Sequence, residues 1–573
     1  MLKKIIRTLK KRLNISRQAG RKYDDIDPED IFIDATNLPG FDEYRFEGRI
    51  ERPMGQGVFL IMKIALVLVI LGLVSKLWVL GIIQGSIYAQ ISENNSLEQT
   101  LLFANRGVIY DREMRELATN AIKEDGSNFA DRLYSPSQGL AHVVGYIKYP
   151  LSDRAGIYYE ENYHGRDGVE RAYDALLNGI NGTKLREIDV SGKVISEAVL
   201  KKPVDGNPLV LSLDSRLTEV LYESMESLAE DRGFVGGAAV IMDTRTGEII
   251  ALSSYPSYDP NVLTNGTDRN AISEMINSPS KPFLNRAIGG LYTPGSILKP
   301  VVALAALNEN LISPSKQILS TGSITVENPY DPEKPSVFKD WKAHGWTDMR
   351  KALAVSSDTY FYSIGGGLGD QKGLGITVLE RYFKLFAMTE KTGIDLLGEV
   401  EGVVPNPEWK KEKFDGEIWR LGDTYITSIG QYGTLVTPIN AARSTALIAN
   451  RGQLLKPSLI KGGSNDPVLR VVDFKPEDWS VIHEGMRDAV TYGTSVGLNV
   501  PYVKVAAKTG TAEVGSFKLY VHSWSVGFFP FESPKYAWAV VMEKGPSANT
   551  LGATSVVRRL FDWMAVNSPE YFE

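Results

Sequence analysis

The hydrophobic and polar positions along the chain first mark out one strongly apolar segment. Residues 58–83 read VFLIMKIALVLVILGLVSKLWVLGII, with charge only at Lys63 and Lys76. Roughly 20 apolar residues in a helix cross the hydrocarbon core of a membrane, so the segment predicts a transmembrane helix. Both lysines lie toward its ends, where a long side chain can reach an interface. A buried helix of a soluble domain is the alternative, but no other segment is as apolar.

The pattern then changes to strands, helices and strands again. Residues 84–232 alternate short apolar runs with turns, and residues 237–256 predict two apolar strands around a tight turn at Asp243 to Gly247. Three later strands are predicted in the segments YVKVAAKTGTAEV, SWSVGFFP and YAWAVVMEKG. In the first of these segments, residues 503–507 are the apolar strand. Helices are predicted between the two strand sets, at residues 300–308, 349–362, 375–386 and 438–450. This order predicts an α+β domain whose antiparallel sheet is completed by both ends of the sequence.

The charges around the apolar segment predict its orientation. Residues 1–22 contain nine lysines and arginines and no acidic residue. The positive-inside rule places this end in the cytoplasm and everything after Ile83 outside. A cleavable signal peptide fits poorly, so we expect an uncleaved anchor. Residues 23–53 are first acidic and then mixed with aromatics, which indicates either a disordered tether or a short docking segment.

Composition excludes several classes of function. The 573 residues allow roughly three or four domains, and the net charge of -6 argues against a nucleic-acid-binding protein. The absence of cysteine excludes disulfides, thiol nucleophiles and thiolate metal sites. Asp340 and His344 are two possible metal ligands close together, but two ligands at irregular spacing give weak support. We therefore expect neither a metal nor a cofactor, and a structural role for His344.

Three short motifs carry the candidate chemistry. They are Ser296-Ile-Leu-Lys299, Ser356-Ser-Asp358 and Lys508-Thr509-Gly510-Thr511. A serine and a lysine at i and i+3 lie on one face of a helix, which puts a candidate nucleophile beside an amine that can take its proton. Each motif alone is also explained by an ordinary helix cap or turn. All three in this order predict one serine acyl-transfer site, and no histidine pairs naturally with Ser296 as a Ser-His-Asp hydrolase would need.

The three motifs together resemble those of class B penicillin-binding proteins. Other matching segments are 105–112 (NRGVIYDR), 165–170 (GRDGVE) and 209–214 (LVLSLD), while 405–410 and 422–438 resemble the elongation-specific, penicillin-binding protein 2 type. The family usually has Gly-Gln-Gly where this chain has Gly430-Gln431-Tyr432. The resemblance implies a serine transpeptidase fold with helices on both sides of an antiparallel sheet, preceded by an elongated, mostly β pedestal. We predict a cytoplasmic tail (1–57), a transmembrane anchor (58–83), a non-catalytic pedestal or dimerisation domain (84–232) and a transpeptidase domain (233–573).

The resemblance also implies roles for the motif residues. Ser296 attacks the D-Ala-D-Ala carbonyl of a peptidoglycan stem peptide, Lys299 is the base and Ser356 relays protons. Burial and a nearby cation such as Lys508 would favour the neutral amine that Lys299 needs. Lys508, Thr509 and Thr511 hold the substrate carboxylate, and the N–H groups of Ser296 and Thr511 form the oxyanion hole.

Two residues of the motifs need separate comment. Asp358 stands where the family motif has asparagine, and an ionised carboxylate cannot donate a hydrogen bond to substrate. We expect it to tune the base as well as to lie in the substrate site. Gly510 on an edge strand is expected to let a substrate backbone approach closely.

The implied partners are stem peptides, β-lactams as inhibitors and a membrane. No glycosyltransferase domain is evident before the transpeptidase segment, so the resemblance implies a separate polymerase, a SEDS-family membrane glycosyltransferase. We expect a single-pass protein of the cell membrane with its catalytic domain outside. The competing hypotheses are a β-lactamase or β-lactam sensor, and a non-catalytic scaffold. Intact Ser296, Lys299 and Lys508 argue against the scaffold.

Overall fold

The computed structural model describes most of the chain after the predicted tail. The described residues are 56–122, 129–154, 156–188, 194–327, 333–463, 466–515 and 517–573. They belong to two compact units, one that ends at Asn95 and one that spans Ser96–Glu573. The predicted tail lies outside the described residues except for its last two. The domain boundaries given above stay a prediction.

The predicted transmembrane segment is helical. An α-helix runs over Gln56–Trp78, a π-helical turn follows at Val79–Ile83, and a second helix spans Gly85–Ser96. Within the described part of the chain, this first helical segment alone is long and apolar enough to cross a membrane. Its apolar side chains are exposed rather than packed into a protein core. That exposure argues against the buried-helix alternative and suits contact with lipid.

The segment before the catalytic motifs is built mainly from short strands. One antiparallel sheet has the order Leu97–Leu102, Gly182–Ile188, Val194–Lys201. A second has the order Leu209–Val210, Ile109–Tyr110, Glu116–Ala121, Asp131–Tyr134. The remaining strands pair as Ile147–Lys148 with His164–Gly165 and Leu151–Ser152 with Tyr158–Glu160, and the short helices are Ala141–Val144, Gly168–Ala172 and Asp174–Leu177. The predicted mostly β character of this segment is confirmed.

A buried cluster of ion pairs connects two of the segments that match the family, a first box at 105–112 and a second box at 165–170. Arg106 from the first box donates through Nε to Glu170 of the second at 2.5 Å. Arg132 donates through Nε to the other carboxylate oxygen of Glu170 at 2.8 Å. All three side chains are fully buried. The Glu170 carboxylate therefore lies between two buried guanidinium groups, and Arg106 also pairs through Nη2 with Asp174 at 2.7 Å.

Glu170→Gln should lower the free energy of unfolding by about 3–5 kcal/mol, because it removes the carboxylate that lies between two buried guanidinium groups and leaves Arg106 with Asp174 as its one carboxylate partner among the described residues. Urea denaturation of the detergent-solubilised chain, followed by tryptophan fluorescence, measures the change. The control is Glu532→Gln, which breaks an exposed ion pair with Lys504 and should cost less than about 1 kcal/mol. A loss for Glu170→Gln as small as that of the control would contradict the prediction.

Five antiparallel strands form the central sheet of the transpeptidase segment. Their spatial order is Ile249–Tyr255, Gly236–Asp243, Tyr536–Pro546, Tyr520–Phe529, Ala506–Val514. Side chains alternate between two cores. Val240 packs in the core on the side of the catalytic helices, and Ile241 packs in the core formed with the helices Ser215–Arg232 and Ala553–Asn567. The predicted sheet with helices on both sides, completed by both ends of the sequence, is confirmed. Ala506–Val514 is an edge strand, as expected, but it begins at Ala506, so the prediction of a strand over 503–507 was too early.

Helices surround this sheet. The α-helices are Ser215–Arg232, Pro260–Asn265, Arg269–Asn277, Arg286–Gly289, Lys299–Asn308, Met349–Val355, Asp358–Gly366, Gly375–Leu385, Pro407–Lys413, Leu421–Ser428, Pro438–Ala449, Pro476–Thr491 and Ala553–Asn567. The 3₁₀ turns are Gln138–Leu140, Gly295–Leu298, Val496–Leu498 and Pro569–Phe572, and the short strand pairs are Ile318–Ser320 with Gly345–Thr347, Ser323–Val326 with Ser336–Lys339, and Gln453–Leu455 with Val468–Val471. Three of the four predicted middle helices match to within one residue, whereas the helix predicted at 349–362 is two helices.

Candidate active site

Ser296 lies at a tight junction between a loop and a buried helix. It belongs to the 3₁₀ turn Gly295–Leu298, which leads directly into the helix Lys299–Asn308. Gly295 has a φ of 58°, and its N–H donates to the Gly430 carbonyl oxygen at 2.9 Å. Ser296 is half-buried, and its Oγ makes no hydrogen bond with any residue that the structure describes. The hydroxyl is thus at the surface of the site, on a firmly held turn.

The second motif breaks a helix rather than lying on one. The helix Met349–Val355 ends because Ser356 has left-handed backbone angles, with φ 57° and ψ 41°. Ser357 then caps the next helix, Asp358–Gly366, by accepting a hydrogen bond from the Tyr360 N–H. The single helix predicted over 349–362 is therefore wrong. The break has a consequence for the site, because it turns both the carbonyl and the hydroxyl of Ser356 toward Lys299.

Two buried lysine amines meet at the Ser356 hydroxyl. Lys299 Nζ lies 3.2 Å from Ser356 Oγ and donates to the Ser356 carbonyl oxygen at 2.8 Å. Lys508 Nζ lies 2.8 Å from the same Oγ. Asp358 accepts from Lys299 Nζ at 2.6 Å. The structure therefore brings together four predicted site residues from three distant segments, in hydrogen-bond contact with one another.

The environment of Lys508 disfavours its charge. Complete burial holds the pKa of Lys508 well below that of an ordinary lysine, and the nearby charge of Lys299 lowers it further. The carboxylate of Asp358 acts in the opposite direction but does not reverse the shift. A neutral Lys508 amine can accept a proton from Ser356 while Ser356 accepts one from Lys299. Lys299, Ser356 and Lys508 thus form a short proton path, with the Asp358 carboxylate beside its Lys299 end.

Asp340 supports the second motif from behind, a role that the sequence did not indicate. Its carboxylate accepts from Ser357 Oγ and from the Thr359 N–H, both at 2.9 Å. Burial would raise the pKa of Asp340, but these hydrogen bonds outweigh burial and lower it. His344 Nε2 lies 3.4 Å from this carboxylate, and burial lowers the pKa of His344. Among the described residues no three possible ligands cluster around a metal position, and the contacts of Asp340 are those of a helix cap.

The third motif lies on the edge strand Ala506–Val514. Lys508 is buried beneath it, whereas Thr509 is half-buried and Thr511 is exposed. A Cβ on Gly510 would lie 2.7 Å from the Pro294 carbonyl oxygen and 2.9 Å from a side-chain carbon of Ile297. The glycine is thus required by the turn Gly295–Leu298, which packs against the strand and is called the nucleophile turn because it carries the candidate nucleophile Ser296. The expectation that Gly510 also lets a substrate backbone approach the edge strand stays a prediction.

The departure at Gly430-Gln431-Tyr432 is accommodated by aromatic packing. Tyr432 has a φ of 58°, a conformation that glycine adopts more easily. Its ring stacks on Phe414 at 6.3 Å between centroids and contacts the edges of Trp409 and Trp419. Gly430 packs closely against the nucleophile turn, because an added Cβ would lie 2.1 Å from the Gly295 carbonyl oxygen. The substituted tyrosine therefore leaves the support of Ser296 in place.

Comparison with known proteins places this arrangement in a family. The penicillin binding protein transpeptidase domain matches residues 237–562, and the penicillin-binding protein dimerisation domain matches residues 127–211. The peptidoglycan D,D-transpeptidase MrdA of Acinetobacter baumannii is 34% identical over 75% of this chain, which spans 66% of that protein's length.

Solved structures agree in fold. Pseudomonas aeruginosa PBP2, in complex with WCK 5153, superposes with a TM-score of 0.67 at 30% identity and covers 82% of this chain and 97% of its own. A chain from a structure that describes the coordination of polymerization and crosslinking by a peptidoglycan synthase complex has a TM-score of 0.68 at 26% identity. The match covers 89% of this chain and 98% of that one. With its apolar anchor helix, this is a membrane-anchored protein. The chain therefore belongs to the penicillin-binding proteins, as a serine-type peptidoglycan D,D-transpeptidase.

Proposed function

We propose that Ser296 is the nucleophile with which this enzyme cross-links stem peptides ending in D-Ala-D-Ala during cell-wall elongation. The observation that carries the proposal is the Ser356 hydroxyl, which lies between the buried amines of Lys299 and Lys508. Lys299 opens the helix that follows the nucleophile turn, three residues after Ser296, so the two residues are one helical turn apart. A serine activated by an adjacent amine is the established logic of such acyl transfer.

The proton path suggests how the site is primed and used. Transfer from Lys299 through Ser356 to Lys508 leaves a neutral amine on Lys299. That amine takes the Ser296 proton as Oγ bonds to the penultimate D-alanine carbonyl carbon, and the carbonyl electron pair moves onto oxygen. The N–H groups of Ser296 and Thr511 would stabilise this oxyanion. The departing D-alanine nitrogen receives a proton through Ser356 as its C–N bond breaks. An amine of a neighbouring stem then attacks the ester carbonyl carbon, and the new amide forms as the bond from that carbon to Ser296 Oγ breaks and a proton from the amine returns to Oγ.

Substrate holding is assigned to the edge strand. Thr509 and Thr511 are two residues apart, so their side chains share one face of the strand and can both donate to the terminal carboxylate. Asp358 is a hydrogen-bond acceptor only and faces Lys299, so we assign it to positioning that amine rather than to the substrate. The same carboxylate-binding face would take the carboxylate of a β-lactam inhibitor.

Benzylpenicillin bound to the enzyme should form an ester that is lost slowly compared with its formation. The two carboxylates of the described site already accept hydrogen bonds from the protein. Asp358 accepts from Lys299, and Asp340 accepts from Ser357 and the Thr359 N–H, so neither is placed to activate water. An intact-mass time course after removal of free penicillin measures the loss. A secreted β-lactamase analysed in parallel provides the rapid limit. Equally rapid loss from this enzyme would favour the β-lactamase alternative.

We also propose that this enzyme works beside a SEDS-family membrane glycosyltransferase. The support is its similarity to a chain of a peptidoglycan synthase complex that joins polymerization to crosslinking. The anchor helix exposes apolar side chains along its whole length, so it has surface for lipid and for a polytopic partner. A photo-crosslinking residue in place of Leu66 or Leu73 should capture such a glycosyltransferase in membranes. Adducts with lipid alone would contradict this part of the proposal.

The membrane orientation is a further prediction. The nine basic residues before Tyr23 should keep the N-terminus in the cytoplasm and the region after Ile83 outside the cell membrane. Protease added to intact spheroplasts should digest the outer region and spare an epitope placed at the N-terminus. Lysed spheroplasts are the control, in which both parts become accessible. Digestion of the tail in intact spheroplasts would reverse the assignment.

A further inference from the structure

A short loop after the helix Pro476–Thr491 lies between two of the catalytic segments. Gly493 packs so closely that an added Cβ would lie 2.1 Å from the Ala354 carbonyl oxygen, two residues before Ser356. The next residue, Thr494, donates its N–H to the same oxygen at 3.1 Å. These backbone contacts hold the loop against the second motif. They also give the Thr494 side chain a defined position beside the edge strand.

The Thr494 hydroxyl meets a hydroxyl of the third motif. The Oγ1 atoms of Thr494 and Thr509 lie 2.7 Å apart, the usual distance of an O–H···O hydrogen bond. Both residues are half-buried, so the hydroxyl pair borders the open side of the site. Thr509 also shares its strand face with the exposed Thr511. The pair therefore lies where the proposed function places the substrate carboxylate.

Two hydroxyls that share one hydrogen bond keep one further O–H proton to donate. Each hydroxyl has one proton and two acceptor lone pairs. In the structure Thr509 Oγ1 donates to Thr494 Oγ1, so the free proton belongs to Thr494. When the two hydroxyls rotate so that Thr494 donates to Thr509, the proton of Thr509 becomes free for an anion above the strand. A carboxylate that contacts Thr509 favours this reversed orientation, because a charge-assisted hydrogen bond is stronger than a neutral one.

We propose that Thr494 is a positioning residue that orients the Thr509 hydroxyl toward the terminal carboxylate of the stem peptide or β-lactam. The inference rests on the proposed function, because it requires Thr509 to bind that carboxylate. It gives the loop a part in substrate recognition that none of the three motifs contains. It also links recognition to the second motif, since the loop is held by the residues that precede Ser356.

The test compares benzylpenicillin with its methyl ester, which lacks the anionic carboxylate. Stopped-flow measurements on the solubilised full chain separate the dissociation constant of the initial complex from the rate constant of acylation. Thr494→Val should raise the dissociation constant for benzylpenicillin roughly tenfold, as expected for weakening one hydrogen bond to a charged group. The dissociation constant for the ester and both acylation rate constants should stay within about twofold of wild type. Thr494→Ser, which keeps the hydroxyl, should restore the affinity for benzylpenicillin.

The controls separate this inference from the proposed function. Thr494→Ala is measured beside Thr494→Val, so that a folding failure of one variant leaves the other, and thermal unfolding checks both. Equal losses for acid and ester would show a structural role only and overturn the inference. Thr509→Val should also weaken binding of the acid selectively. If Thr509→Val does so and neither Thr494 variant does, the inference alone fails, whereas no selective effect of Thr509→Val would refute the proposed carboxylate site itself.

Discussion

Ser296→Ala is expected to abolish covalent labelling by fluorescent penicillin while the protein stays folded. The substitution removes the only atom that the proposed mechanism acylates. Stability should change little, because Ser296 Oγ makes no hydrogen bond with the described residues and the turn is held by other contacts. Those contacts are the bond from Gly295 to Gly430 and the packing of Ile297 on Gly510. Gel fluorescence of labelled membranes, together with the thermal unfolding midpoint, measures both expectations.

Thr293→Ala is the matched control for this experiment. Thr293 lies in the same loop, but its contact with the core is made by the backbone, whose carbonyl accepts from Trp524 Nε1 at 3.0 Å. This variant should label like wild type. Peptide mapping of the labelled wild-type protein should place the adduct on Ser296. Persistent labelling of Ser296→Ala at another serine would show that the site has been assigned wrongly.

Ser356→Ala is expected to slow penicillin acylation by roughly 10²–10⁴-fold, the usual contribution of a positioned proton-transfer group. Its hydroxyl is the only atom that contacts both Lys299 Nζ and Lys508 Nζ in the described site, so the alanine variant interrupts the path between them. Alanine adopts the left-handed backbone of this position no worse than serine does. The loss should therefore appear in the acylation rate constant rather than in folding, and rapid-quench labelling measures it.

Ser357→Ala is the adjacent control. Its hydroxyl faces Asp340 and caps a helix, and it contacts neither lysine. Loss of the cap should cost about 1 kcal/mol of stability with a much smaller effect on acylation. Similar acylation rates for the Ser356 and Ser357 variants would exclude Ser356 as a relay.

The same mechanism sets the pH dependence of the wild-type enzyme. Acylation requires Lys508 to be neutral, and its pKa is held below that of an ordinary lysine by burial and by the charge of Lys299. The neutral form therefore persists to lower pH than it would for an exposed lysine. The acylation rate should stay high at and below the ordinary lysine pKa and fall only as the pH drops through the lowered value. A rate that rises only near the ordinary lysine pKa would contradict this assignment.

Much of the architecture follows from short-range patterns. The apolar run, the paired strands around Asp243 to Gly247 and three of the middle helices were predicted closely, because periodicity and apolarity are properties of a short segment. The residues of the three motifs were identified for a similar reason. Candidate nucleophiles, amines and hydroxyls are recognised from residue type alone, without knowledge of the fold. The order of the three motifs along the chain then limits the families that the chain can resemble.

Boundaries that depend on one backbone conformation were missed. Ser356 has no sequence feature that marks a left-handed residue, so the helix was extended through it. The strand that carries Lys508 begins at Ala506 rather than at Val503, because pairing with the neighbouring strand Tyr520–Phe529 decides where the edge strand starts. In both cases the deciding interactions come from residues that are distant in sequence.

The sequence by itself determined the anchor helix, the order of strands and helices and the choice of candidate reacting groups. Only the tertiary structure decided what supports those groups. Asp340 holds the second motif as a helix cap, Gly510 receives the nucleophile turn, and Thr494 reaches Thr509 across the site. None of these roles has a local signature, because each is a contact between segments that only the packed sheet and its helices bring within hydrogen-bond or van der Waals distance.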